Sequence, residues 1–274
     1  MSTQCHLGLN RIPQLFNTLE VAMTYLGQQI VGNSLIDVWT RYVSFTFQGS
    51  MGVDDGQPIR EQFSVTVHFT PQADFEAVHP LMDMVQHEQY IKKMCVKDKR
   101  TIEQMKRVLG GSYADRIFNS PYGNQFEKVV RQLIQRPDSK SAIINLLHPL
   151  EWERKIEPAI KRMACLTHIQ ALIRDGQLDF FAHFRSQNVW HAHGNFKALH
   201  TLQSLMLSRL KEKGLKVNQG GLTISIVAAH LYESDFKEAE QIAKELALAN
   251  EPCQWLRRLR YEDGDVGINV QSLC

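Results

Sequence analysis

The side chains best equipped for chemistry in this 274-residue chain gather around one stretch. Cys165 is a potential thiolate nucleophile, and Arg185-Ser186 follows it with Asp175-Gly176 midway between. An Asp-Gly pair favours the two-residue type I′ turn of a tight hairpin, so Thr167 to Arg174 and Gln177 to Ser186 are expected to pair antiparallel. Counting outward from that turn sets Cys165 opposite Ser186 and Leu166 opposite Arg185. Strict register then places Arg185 on the other face from Cys165, and contact between them requires a bulge at the strand end. A cationic neighbour favours thiolate over thiol. Arg185 can also grip a phosphate in bidentate fashion, with Ser186 adding a hydroxyl donor. A lone cysteine beside an arginine is more often an inert core residue, so these residues alone leave both readings open. His191 and His193 suggest a metal pair, but no Asp or Cys accompanies them locally, and a loop role is the better expectation.

The elements that must position these groups follow from periodicity. Leu15 to Gly27 reads as a helix, and Val43 to Phe47 and Glu61 to Phe69 show the alternation of strands. Ala77 to Val108 is helical in pattern, and Gly110, Gly111, Asn119, Pro121 and Gly123 then break it into a loop. A helix resumes over Gly123 to Gln135 and should stop at Arg136-Pro137, because the residue before proline disfavours α geometry. Ala142 to Leu147 suits a short buried strand. Asn195 to Lys213 reads as a long helix, Leu222 to Val227 as a strand and Asp235 to Ala249 as an amphipathic helix. The fold class expected is mixed α/β (α+β), with a largely antiparallel sheet packed against helices. No repeat or linker interrupts the chain, so residues 1–274 are expected to form a single domain.

Composition narrows the function classes. A hydrophobic share of 43 % with no apolar run near the roughly 18 residues of a membrane span is that of a folded, soluble protein. The start lacks a basic flank followed by an apolar stretch, so the cytoplasm is expected. The five cysteines are odd in number and lack CxxC spacing, which argues against a disulfide framework or a structural zinc. A net charge of +2 is too small for a nucleic-acid surface.

The order of motifs resembles the thymidylate synthase family. Cys165, Gly176 and Arg185-Ser186 are similar to its active-site hairpin. Tyr122-Gly123-Asn124-Gln125 and Arg136-Pro137-Asp138-Ser139-Lys140-Ser141 resemble its YGxQ and DPDSRR segments, and Asn195 and His230-Leu231-Tyr232 resemble its nucleotide-binding Asn and HxY. The resemblance is strongest over residues 113–236. It implies that Cys165 adds to C6 of a pyrimidine nucleotide, turning C5 into a carbon nucleophile for a one-carbon unit from 5,10-methylenetetrahydrofolate. It further implies that Arg185 and Ser186 hold the 5′-phosphate, that Lys140 comes from the partner subunit of a homodimer, that Asn195 reads the base, and that His230 and Tyr232 bond the ribose. Tyr122 falls in the substrate site by the same alignment. Glu88 is the expected general acid-base, with Asp83 behind it.

Several positions depart from the family pattern. Ala164-Cys165-Leu166 stands where Pro-Cys-His is usual, Lys140-Ser141 replaces paired arginines, and Asn188 occupies the place of the Asp that holds the pterin. The ending GDVGINVQSLC differs from the family's apolar closing sequence. Since such a tail helps exclude water, the expectation leans toward a hydroxymethyl over a methyl product. The alternative from another class is a catalytically silent nucleotide-binding or assembly protein that keeps the fold.

Overall fold

The computed structural model describes residues 28–109, 112–147 and 163–250. The helix predicted over Leu15 to Gly27 and the closing sequence therefore lie outside the described residues. In chain order the elements are β1 (Gln29–Ser34), α1 (Leu35–Phe47), β2 (Ser50–Asp54), β3 (Gln57–Asp74), α2 (Met84–Cys95), α3 (Lys99–Leu109) and α4 (Tyr113–Phe118). There follow α5 (Gln125–Gln135), β4 (Ile143–Asn145), β5 (Leu166–Arg174), β6 (Gln177–Asn188), α6 (Ala192–Glu212), β7 (Asn218–Tyr232) and α7 (Phe236–Asn250). The strands bond in the order β1-β3-β7-β6-β5-β4, with β2 added against β3. The β1–β3 and β6–β7 pairs are parallel and the remaining pairs antiparallel. This is the mixed, mostly antiparallel sheet with helices that the sequence predicts.

The clearest departure is at Val43 to Phe47, which closes a helix instead of forming a strand. Leu35, Val38, Trp39, Tyr42 and Val43 are fully buried at helical spacing. The Ser34 hydroxyl caps that helix by accepting from the Asp37 N–H at 3.2 Å. The local alternation of Val43 to Phe47 is overridden by the longer period. Ala77 to Val108 divides into two helices, since Asp83 accepts from Val85 N–H and Asp98 from Thr101 N–H, each starting a new one. The loop predicted after Gly111 contains the short helix α4, capped by Ser112.

Gln203 fixes α6 on the sheet. It is fully buried, and its Nε2 reaches the carbonyls of Leu178, Gly220 and Gly221 at 2.8, 3.2 and 3.1 Å. Those carbonyls lie where the β6–β7 register shifts between Leu178 and Phe180. A Cβ on Gly220 would fall 2.6 Å from the Leu178 backbone, so this crossing admits only glycine. Gln203→Leu should cost about 1–3 kcal/mol by stranding buried acceptors. The expected result is a lower urea midpoint at unchanged slope.

On the face away from Phe180, one register row runs across six strands through Val31, His68, Thr223, Phe181, Gln170 and Ile143. Three of its members, Val31, Phe181 and Ile143, are large apolar side chains left exposed in the single chain.

Candidate active site

The hairpin forms where expected. Asp175 and Gly176 have φ of 49° and 71°, the positive pair a type I′ turn requires. Pairing runs as predicted from Arg174 opposite Gln177 to His168 opposite His183, then slips by one so that Leu166 faces Phe184. The predicted pairing of Leu166 with Arg185 is thereby corrected. Leu166 and Ile169 are both buried although an odd number of positions apart, and only an extra residue between them allows both to face the core. Thr167 takes up the bulge, its hydroxyl donating to the His183 carbonyl at 2.9 Å.

The bulge brings Arg185 to Cys165. The Arg185 N–H donates to the Cys165 carbonyl at 2.9 Å. Arg185 Nη2 and Ser186 Oγ stand 3.8 and 3.7 Å from the Cys165 sulfur, two donors aimed at one half-buried thiol. The guanidinium also donates from Nε to the Ala164 carbonyl and from Nη2 to that of Met163, at 2.9 and 3.0 Å. It therefore anchors the segment carrying the nucleophile. Nη1 makes no hydrogen bond among the described residues. Cys95 is the contrasting case: it is buried, its sulfur donates to the Ala198 carbonyl at 3.4 Å, and burial pushes its pKa up to about 12. Such a thiol is inert.

The parallel partner strand supplies the next groups. Asn188 lies beside His230 in register, and its Oδ1 accepts from the Trp190 N–H at 3.0 Å. The His230 and Tyr232 rings meet edge to face at 5.2 Å, and the Tyr232 hydroxyl donates to Asp54 Oδ2 at 2.7 Å. Burial and the Asp54 bond push the Tyr232 phenol up to about 12, with the Cys165 sulfur contributing to the rise. The His230 imidazole is lowered chiefly by burial. Both are therefore neutral at physiological pH.

Helices α2 and α6 close the other side. His87 Nε2 and His193 Nδ1 are 2.7 Å apart in the interior, so one must donate and the other accept. This contact sets Tyr90, one turn after His87, against Gly194, where a Cβ would lie 3.0 Å from the Tyr90 ring. Asn195 follows in the same helix, 7 % exposed, and its side chain makes no hydrogen bond among the described residues. Phe196 is fully buried against Tyr42 and Phe69. Between these neighbours it is Asn195 that retains an unspent carboxamide. Tyr90 and the buried Tyr113 are both close enough to Cys165 for it to help raise their pKa values, although burial is the larger cause. The Tyr113 hydroxyl accepts from the Leu166 N–H at 3.3 Å. Lys93 Nζ lies 5.6 Å from the Tyr90 ring centroid and 5.1 Å from that of Tyr113.

Four predicted residues are placed elsewhere. Glu88 is 76 % exposed in its side chain and paired with Lys92 at 3.6 Å. It sits two positions before Tyr90, or about 200° around the helix, on the side away from the thiol. Asp83 caps the same helix. Tyr122 is 65 % exposed in the turn before α5, and Tyr113 takes the position beside the nucleophile. The Lys140 carbonyl is held by Gln170, five residues along β5 from Cys165 and so roughly 17 Å away. It cannot serve the thiol of its own chain. Tyr90, Tyr113 and Asp54 were not singled out in the sequence. Helical spacing from His87 identifies Tyr90, and the Ser112-Tyr113 capping position identifies Tyr113.

The histidine pair has a pH consequence. Burial holds His193 down to about 3 and also lowers His87, whereas the unfolded chain takes up these protons near 6.5. Acid therefore favours the unfolded state throughout the window from about 6.5 down to 3. Stability should fall by up to about 1.4 kcal/mol per pH unit on account of His193, and the lowered His87 acts in the same direction. Urea midpoints at pH 7, 6 and 5 should decline steadily, and a constant midpoint would contradict the neutral buried pair.

Comparison with known proteins gives a consistent picture. The profile of the family described as thymidylate synthase matches residues 36–262, well beyond the stretch in which the motifs are found. Three archaeal proteins, each named "Putative thymidylate synthase", are similar to this chain. That of Methanothermobacter thermautotrophicus is 30 % identical over 121 residues, 44 % of this chain and 50 % of that protein, so the match spans about half of its length. That of Methanocaldococcus jannaschii is 24 % identical over 66 % of this chain and 83 % of its own. That of Methanosarcina barkeri is 22 % identical over 80 % and 96 %.

Proposed function

This chain belongs to the thymidylate synthase family, and on that premise we propose that it transfers a one-carbon unit to C5 of a pyrimidine nucleoside 5′-monophosphate through a covalent bond from Cys165 to C6. The observation that carries this reading is the pair of donors, Arg185 and Ser186, aimed at the Cys165 sulfur from across the bulge. Attack at C6 moves the ring π electrons onto C5 and O4, making an unreactive carbon nucleophilic. Tyr90 and Tyr113, kept neutral by burial, act as hydrogen-bond donors toward the oxygen that gains charge. Arg185 Nη1, which makes no hydrogen bond among the described residues, holds the phosphate together with the Ser186 hydroxyl. Departure of the C5 proton and expulsion of Cys165 restore the ring.

Asn195 reads the base. Its carboxamide accepts from N3–H and donates to O4 of uracil, and uracil is the proposed base. His230 and Tyr232 hold the sugar. The site also fits a folate, through Asn188. With one lone pair on Trp190, its carboxamide retains a second lone pair and two donors, matching the N3–H and O4 edge of a pterin where a carboxylate would take N3–H and the amino group. When bound, 5,10-methylenetetrahydrofolate supplies the one-carbon unit. The product is hydroxymethyl or methyl according to whether water or hydride completes the transfer.

The exposed apolar row through Val31, Phe181 and Ile143 supports a homodimer formed sheet to sheet. In such a dimer Lys140 is proposed to serve the partner's site. Among the described residues no helix is long and apolar enough to cross a membrane. The function is tested by incubating UMP, dUMP, CMP and dCMP with the protein and methylenetetrahydrofolate, then weighing the nucleotides. A gain of about 14 or about 30 mass units on a uracil nucleotide is expected; no gain on any of the four would favour a silent binding protein.

A further inference from the structure

We infer that Asp54 is the sugar-selecting residue of this site and that it favours a ribonucleoside monophosphate over the 2′-deoxy form. The inference rests on the reading that His230 and Tyr232 hold the sugar. Asp54 ends β2, and the tight turn at Asp55-Gly56, with φ of 46° and 82°, folds it back onto Gln57. Ile59, two residues on, pairs with Tyr232. The carboxylate thus arrives from a hairpin tip at the end of β7, beside the two aromatic groups.

The hydrogen-bond inventory at this point is one-sided. Tyr232 has spent its single proton on Asp54, so its oxygen can only accept. His230, neutral, has one donor and one acceptor, and its N–H is engaged by the Ala228 backbone, which leaves it an acceptor. Asp54 can only accept, and its negative charge is felt at His230. Among the described residues it meets no lysine or arginine and makes no side-chain bond other than that from Tyr232. Glu61, which faces His230 in register, turns its carboxylate to Gly52 instead. A half-buried carboxylate without a cation requires neutral donors. A phosphate is repelled there and is served at Arg185, whereas a sugar hydroxyl is suited to it. A deoxyribose presents one hydroxyl to this end of the site, which His230 and Tyr232 can satisfy. A ribose presents two vicinal hydroxyls, and the second finds its acceptor in Asp54, as acidic residues do for ribose in dinucleotide sites.

Calorimetric titration of UMP and dUMP into the full chain tests the assignment. A hydrogen bond to a charged acceptor predicts that UMP binds about 10- to 100-fold more tightly than dUMP. Asp54→Ala should bring that ratio close to one by weakening UMP. Asp54→Asn, which keeps the bond from Tyr232 and hence the local fold, should fall between. Equal binding by the native protein, tighter dUMP, or a ratio unmoved by both substitutions would overturn the role of Asp54 while leaving the nucleotide site in place. Failure of both nucleotides to bind the native protein would remove the sugar reading and this assignment together.

Discussion

Cys165→Ala lowers turnover by roughly 10⁴- to 10⁶-fold, the scale of losing a nucleophile outright, while nucleotide affinity changes little. The asymmetry follows from what the sulfur does. It is half-buried at a strand end, and its neighbours Arg185 and Ser186 keep their backbone bonds without it. Deleting it removes a reacting atom but no structural support. Release of tritium from C5 of a bound uracil nucleotide should vanish in parallel, because C5 becomes exchangeable only after attack at C6. Cys95→Ala is the control: that thiol packs in the core with a pKa near 12, so its loss should cost some stability and leave turnover per folded molecule unchanged. Near-native turnover in the Cys165 variant would refute covalent catalysis.

Arg185→Ala is expected to have the second-largest effect and to act in two ways. The guanidinium ties the Met163 and Ala164 carbonyls, and its loss should let the segment bearing the nucleophile move, lowering kcat by about 10²-fold or more. In the proposed site it also holds the phosphate through Nη1. Monophosphate binding should therefore weaken by about 1.5–3 kcal/mol, roughly 10- to 150-fold, while binding of the corresponding nucleoside changes only slightly. Arg185→Lys separates the roles. It keeps a charge for the phosphate but cannot reach two carbonyls and a sulfur together, so affinity should recover more than kcat. Equal losses for nucleotide and nucleoside would take Arg185 out of the phosphate site.

Much of this architecture was legible in the sequence where a local rule had no competitor. Asp175-Gly176 dictated the hairpin, Arg136-Pro137 ended α5 at Gln135, and the need for a bulge could be read from the parity of Cys165 and Arg185. Val43 to Phe47 was misread because five alternating residues look like a strand until Leu35 and Val38 are counted on the same helical face. The residues proposed for the site were legible in proportion to their closeness to the hairpin. Cys165, Arg185 and Ser186 lie on it, and Asn195, His230 and Tyr232 lie on the elements packed directly beside it. Glu88 failed because helix phase, not sequence position, decides which side chain of α2 faces inward. His87 and Tyr90 hold that face, and Glu88 is carried around to Lys92. The meeting of Asp54 with Tyr232 could not have been found from sequence, since it brings a hairpin tip to a strand 178 residues away in the chain.

The most direct test of the account is to trap the bond it places between Cys165 and C6. A 5-fluorouracil nucleotide should stall the reaction after one-carbon transfer, because fluorine cannot leave C5 as the proton does. Native protein incubated with this nucleotide and methylenetetrahydrofolate, then denatured and weighed intact, should gain the summed mass of both ligands. Peptide mapping should place that mass on Cys165, and the Cys165→Ala protein should show none. An unmodified native protein under conditions in which the uracil nucleotide is turned over, or an adduct on any other residue, would contradict the account.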